Sequence, residues 1–281
     1  MTAADPQFDQ QDSANRCYRH PDRQSFILCQ RCGRTICPQC QTEAPVGYHC
    51  PECVREARAS APRTSRPLLK SVRRTGSSGP IVTYSLIGIN VVIFLLQQLS
   101  PVVTYYLYYD PTLTASEPWR LITSVFAHSS IWHIALNMLS LFIFGRILEP
   151  MLGRSRYLAL YLISGLGGSV AVLLLNPGGG VLGASGAVFG LMGAILVILR
   201  GLGGNGTQLL VLIGLNLAIG FIVPNVAWQA HVGGVITGAL IALVYVRTRA
   251  RRQQTLQWIL VASVLAGLVV LTLIGITVFF S

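Results

Sequence analysis

The chain has 281 residues, 52 % of them hydrophobic and only 11 % charged, with a mean hydropathy of +0.57. A water-soluble globule carries about a quarter charged residues, so a wholly soluble protein is excluded. The formal net charge is +11, and its placement decides whether nucleic acid or a membrane is the natural counterpart. Residues 1–80 are polar and rich in Arg, Pro, Ser and Cys. Residues 81–281 are apolar runs broken by Gly, Pro and Arg, which reads as a small polar domain, a linker and a membrane domain.

All seven cysteines fall in the first 53 residues, spaced Cys17-x2-His20-x8-Cys29-x2-Cys32-x4-Cys37-x2-Cys40-x9-Cys50-x2-Cys53. An odd number of cysteines in CxxC pairs suits a metal site better than disulfides. Thiolate ligands need a reducing compartment, so this end is predicted to be cytosolic. Four two-ligand knuckles supply eight donors, enough for two tetrahedral zinc ions of the structural kind. The short gap between the second and third knuckles favours interleaving. Cys17, His20, Cys37 and Cys40 then share one ion, and Cys29, Cys32, Cys50 and Cys53 the other, with His49 an alternative to Cys50. Four protein ligands per ion leave no position for metal catalysis. The expected organisation is a disordered tail over 1–15, a double zinc finger over 16–57, and a flexible basic linker over 58–80 lying near anionic headgroups.

No secretory signal is expected, since the first apolar run starts at Ile81. A membrane-crossing helix needs about 20 mostly apolar residues, and seven candidates follow: 81–99, 131–148, 156–175, 185–199, 208–223, 227–246 and 256–279. Twelve of the 21 Lys and Arg precede residue 81. With that end inside, the inner loops hold Arg146, Arg154, Arg156, Arg200, Arg247, Arg249, Arg251 and Arg252, and the outer loops only Arg120. The positive-inside rule therefore predicts a multi-pass cell-membrane protein with a cytosolic N-terminus and an external C-terminus. The same asymmetry accounts for the net charge, so nucleic acid is not expected as a partner.

Polar groups inside a membrane are costly and mark functional sites. His133 and Asn137 share one face of the second span, at i and i+4. Ser185 opens the fourth span within Gly183-Ala184-Ser185-Gly186, and His231 lies near the start of the sixth, in Ala230-His231-Val232-Gly233-Gly234. All three spans run inward from the outside, so these residues are predicted to meet in one layer below the outer surface. The fourth span, 15 residues or about 22 Å long, leaves Ser185 at the floor of a water-holding cavity. A serine hydroxyl needs a base, which His231 can supply. With no carboxylate nearby, a dyad is expected in place of a triad. Oxyanion donors are available from the Ser185 N–H, His133 and Asn137. Gly186/Gly190 and Gly234/Gly238 form two GxxxG pairs suited to close helix packing.

From about 81 to 246 the chain resembles the rhomboid intramembrane serine proteases. The resemblance rests on Trp119-Arg120, His128, the HxxxN element His133/Asn137, GxSG at Gly183–Gly186 and AHxxG at Ala230–Gly234, in the family's order. It implies Ser185 as nucleophile, His231 as base, and His133 and Asn137 as oxyanion residues. It also implies that Phe189, one turn after the serine, stacks on the histidine, at a position where tyrosine is common. The implied fold is an all-α polytopic membrane protein, a rhomboid-like six-helix bundle over 81–246. A basic loop and a seventh helix follow over 247–281, and the small zinc-binding domain comes first. That domain resembles the B-box finger found ahead of some bacterial rhomboids. Trp119, Arg120 and His128 are expected to be structural, and Glu149 to bond a loop on the inner side.

The expected function is an intramembrane serine endopeptidase that cleaves transmembrane helices of other proteins, with the lipid bilayer as its surroundings. No cofactor is expected for catalysis, and the finger is expected to serve regulation or to bind a protein partner. The rival reading is a non-proteolytic rhomboid-like protein that binds membrane clients. Such relatives usually lack the serine or the histidine, and both are present here.

Overall fold

The protein is described by a computed structural model covering residues 15–44, 46–60, 79–223 and 226–280. The chain divides into two compact units, Met1–Ser71 and Val72–Ser281. The expected tail, up to residue 14, and linker residues 61–78 lie outside the described residues.

The first unit contains two small antiparallel hairpins, β1 (Arg16–Cys17) with β2 (His20–Gln24) and β3 (Thr42–Glu43) with β4 (Tyr48–His49), followed by helix α1 (Pro51–Ser60). Helix α1 reaches three residues into the segment expected as linker, because its polar, arginine-bearing sequence carries no helix breaker before Pro62. The buried cluster consists of six cysteines and Ile36. So few apolar side chains cannot hold a fold of this size by burial alone.

The second unit is helical. Its elements are α2 (Ile81–Leu99), α3 (Pro101–Leu107), α4 (Arg120–Thr123), α5 (Ile131–Leu152), α6 (Arg154–Leu175), α7 (Ser185–Gly201), α8 (Thr207–Ile222), α9 (Trp228–Arg247) and α10 (Gln254–Phe280). Among the described residues five helices are long and apolar enough to cross a membrane: α2, α5, α6, α9 and α10 with its preceding turn. Helices α7 and α8 are apolar but shorter. Apolar side chains point outward all round the unit, as lipid-facing positions do.

Burial orders the helices. Two thirds of the apolar window of α6 is enclosed, against 17 % for α10, and α7 is buried from Gly186 to Ile195. Helices α6, α7 and α9 thus form the centre. They approach closely because glycine lines the contact. A Cβ on Gly234 or Gly238 of α9 would collide with the carbonyl of Gly186 or Gly190 of α7, respectively. The two GxxxG pairs are the seam between the helices that carry Ser185 and His231.

Two regions of this unit differ from expectation by more than a residue or two. Helix α5 continues past 148 to Leu152, through Pro150, and ends at Gly153 with φ +83°. Glu149 therefore sits inside the helix and not in a loop. Its carboxylate accepts hydrogen bonds from the N–H groups of Val82 (3.0 Å) and Thr83 (2.8 Å) and from Thr83 Oγ1 (2.8 Å). A carboxylate at the start of α2 satisfies orphan N–H groups and complements the helix dipole. Its bonding role is as read from sequence, but its partner is a helix end. The segment 100–130, read only as an outer loop, is ordered by α3, α4 and an antiparallel bridge between Tyr109 and Val181. Buried Arg120 anchors it by pairing with Glu117 and donating to the carbonyls of Tyr105 and Tyr108.

Candidate active site

Ser185 is the first residue of α7. The chain enters through Gly183, whose φ of +128° is open only to glycine. A side chain there would also meet the His133 ring, 2.6 Å from Cε1 and 2.7 Å from Nε2. The loop is held in place by Gly183 N–H to the Ser124 carbonyl (2.9 Å) and Ala184 N–H to His128 Nε2 (3.5 Å). Val188 N–H bonds the Ala184 carbonyl, so the N–H groups of Ser185, Gly186 and Ala187 precede the hydrogen-bond ladder of α7. They form a small cluster of donors beside the Ser185 hydroxyl.

His231 is the fourth residue of α9 and only 8 % exposed. Its ring lies flat on Phe189, with centroids 4.1 Å apart and planes 8° from parallel. Phe189 is one turn after Ser185 on α7, so the stack sets the imidazole against the serine-bearing face. Among the described residues His231 Nδ1 has no hydrogen-bond partner. No carboxylate among them bonds the ring, and the Phe189 face is the contact that sets its plane. No hydrogen bond joins Ser185 to His231 among the described residues; such bonds commonly tighten only with substrate bound.

His133 sits in the first turn of α5, whose N-cap Ser130 accepts the His133 N–H (3.2 Å). Asn137 lies one turn further and donates its Nδ2 to the His133 carbonyl (2.9 Å), which uses one of its two amide hydrogens. A small cavity of about 10 Å³, about the room one water needs, adjoins the serine loop, lined by Ser124, Gly168, Ser169, Gly183, Gly186 and Ala230 among others. Packed elements α5, α7 and α9 thus carry a hydroxyl, imidazoles and N–H donors, a set of groups suited to acyl transfer.

Residues 115–248 match the family model described as the Rhomboid domain. The chain is 34 % identical over 150 residues to YdcA of Bacillus subtilis (strain 168), covering 51 % of this chain and 75 % of that rhomboid. The chain belongs to the rhomboid family. It is also 34 % identical over 171 residues to the Rhomboid protease GluP of the same bacterium, covering 57 % of this chain and 34 % of that protein. It is 42 % identical over 139 residues to RHOMBOID-like protein 1 of Arabidopsis thaliana, covering 46 % and 35 %. The matched part spans about a third of the length of those two relatives. This rhomboid is a multi-pass membrane protein of a family that includes intramembrane proteases.

The structure gathers Gly183, Ser185, Phe189 and His231, with His133 over Gly183 and Asn137 one turn below. Two contributors escaped the sequence reading. Gln97, a buried amide in the first span, accepts the His128 N–H at 2.9 Å; a polar side chain inside an apolar run was its signal. Ser129 bonds His133 Nδ1, through Oγ at 3.0 Å and N–H at 3.5 Å. Its signal was a second serine beside the helix cap, four residues before a histidine. His128, expected to be structural, precedes α5 and is not part of it. Its ring meets that of His133 edge to face at 5.0 Å.

In this rhomboid's first unit, two donor clusters form: Cys17, His20, Cys37 and Cys40, and Cys29, Cys32, Cys50 and Cys53. Cys50, and not His49, occupies the eighth position. In a tetrahedral zinc site the ligand edges are about 3.8 Å for S–S and 3.6 Å for S–N. Here Cys32 and Cys50 Sγ are 3.7 Å apart, and His20 Nδ1 lies 3.3–3.8 Å from Cys17, Cys37 and Cys40 Sγ. Burial pushes the thiol of Cys40 up to about 11 and that of Cys53 to about 12, reinforced by neighbouring thiols. For Cys17 and Cys29 the same burial is outweighed by backbone N–H donors, and both fall to about 6. Four donors this crowded cannot all ionise without a cation, so both sets fit a bound metal ion.

Proposed function

We propose that this rhomboid is an intramembrane serine endopeptidase that cleaves transmembrane helices of other membrane proteins by a Ser185–His231 dyad. The observation that carries the reading is the Phe189–His231 stack, which supports His231 as base by laying its ring on the residue one turn after Ser185. His231 takes the Ser185 hydroxyl proton as Oγ attacks the scissile carbonyl carbon. The Ser185 N–H, with His133 and Asn137, receives the developing oxyanion. His231 then passes the proton to the leaving amine, and the C–N bond breaks. Water, activated by the same imidazole, hydrolyses the acyl-enzyme and regenerates Ser185. Gly183 supports this chemistry by letting the loop and His133 approach each other.

The arginine distribution supports seven spans with a cytosolic N-terminus and an external C-terminus. The donor spacing supports two structural zinc ions in a B-box-like finger, with a regulatory or partner-binding role. Zinc supplies folding energy there and takes no part in the hydrolysis. No observation favours the client-binding alternative.

A fluorophosphonate probe tests the central claim. It is expected to label the wild type and not Ser185→Ala, which keeps its fold and loses cleavage of a reference transmembrane substrate. Wild-type turnover by Ser185→Ala would remove the serine mechanism.

A further inference from the structure

His133 can act as an oxyanion donor only if the nitrogen facing the serine loop carries the hydrogen. A neutral imidazole has one donor and one acceptor nitrogen, and a half-turn of the ring exchanges Nε2 with Cε1. Both of those atoms lie over Gly183, so packing there does not distinguish N–H from C–H. The edge contact with the His128 ring does not either. The Ser130 cap and the Asn137 amide fix the His133 backbone, not its ring. Nδ1 is different, because Ser129 approaches it with both its hydroxyl and its N–H. A backbone N–H can only donate, so Nδ1 must accept.

We propose that Ser129 is a positioning residue for the hydrolysis, holding the His133 ring with Nδ1 as acceptor so that Nε2 presents its hydrogen over Gly183, beside Ser185. This rests on the reading of Ser185 as nucleophile. The imidazolium form is also opposed, since a second ring N–H would point at the Ser129 N–H. Ser129 is exposed on its other side, so neither core packing nor a helix cap, which Ser130 supplies, accounts for the contact.

The test uses the full chain in proteoliposomes with a reference transmembrane substrate. Ser129→Ala, which keeps the N–H, is expected to lower kcat about three- to tenfold with KM and Tm unchanged. Ser129→Thr, which keeps a hydroxyl, restores the rate. His133→Ala alone loses about a hundred- to a thousandfold, and adding Ser129→Ala to it changes nothing further. Equal losses from Ser129→Ala in both backgrounds, or a fall in Tm that accounts for the loss, overturn the proposal. Turnover retained by Ser185→Ala is a separate failure, of the nucleophile reading beneath it.

Discussion

Replacing Gly234 by alanine tests whether the glycine seam sets the reacting geometry. The added Cβ would overlap the Gly186 carbonyl oxygen, with the carbonyl carbon at 2.7 Å and the Gly186 Cα at 3.1 Å. Carbons at optimal separation stand about 3.5–4.0 Å apart. Helices α7 and α9 must therefore part by about 1 Å, at a packing cost of roughly 1–3 kcal/mol. A misplacement of that size costs about a hundredfold in rate, so catalysis fails long before the fold does. The assay is turnover of a reference transmembrane substrate in proteoliposomes, alongside thermal unfolding. Gly267→Ala on α10, where nothing lies within 4 Å of the new Cβ, serves as the silent control. Gly234→Ala with wild-type kcat would refute the claim that backbone contact governs the Ser185–His231 spacing.

Phe189→Ala removes the face on which His231 lies; an aromatic stack is worth about 0.5–1.5 kcal/mol, so kcat should fall about two- to tenfold, and an unchanged rate would dismiss the stack as an orienting device. Glu149→Gln keeps the shape but sets an amide donor against either the Val82 N–H or the Thr83 N–H and hydroxyl, since these bond different carboxylate oxygens; a loss of about 2–3 kcal/mol is expected in denaturant unfolding of the purified protein. Elemental analysis should give two zinc per chain, and one or none breaks the two-site assignment. For Cys17 and Cys29 the folded thiol lies below its unfolded value of 9.0, at about 6. Their stabilising contribution is thus complete above the unfolded value and lost as pH falls through about 6. Zinc release to a chromophoric chelator should rise as pH falls and protons compete for the thiolate ligands, and a flat profile would contradict it.

The helices were legible because apolar length and composition alone report them: α2 matches its expected bounds, and α7 and α9 shift by a residue or two. The donor clusters were equally plain, since a four-residue gap leaves little choice but interleaving. Segment 100–130 was not legible. Its order comes from Arg120 reaching carbonyls 12 and 15 residues away and from a bridge to Val181, and no periodicity announces either. Glu149 was misplaced by its neighbour Pro150, which reads as a stop yet is carried inside α5. Ser129 was hidden by its ordinariness, for a serine at a helix start looks like a cap until the ring beside it is seen.

The stretch from Tyr109 to His128 splints the loop that leads into Ser185. Tyr109 trades two backbone bonds with Val181, Ser124 holds Gly183, and His128 holds Ala184, so the four residues ahead of Ser185 are strapped at three points to a segment that supplies no reacting group. On the proposed protease reading, loosening that splint slows cleavage without changing which bonds are preferred. Divergence among relatives in this stretch would then tune pace, leaving selectivity to residues that touch the incoming helix.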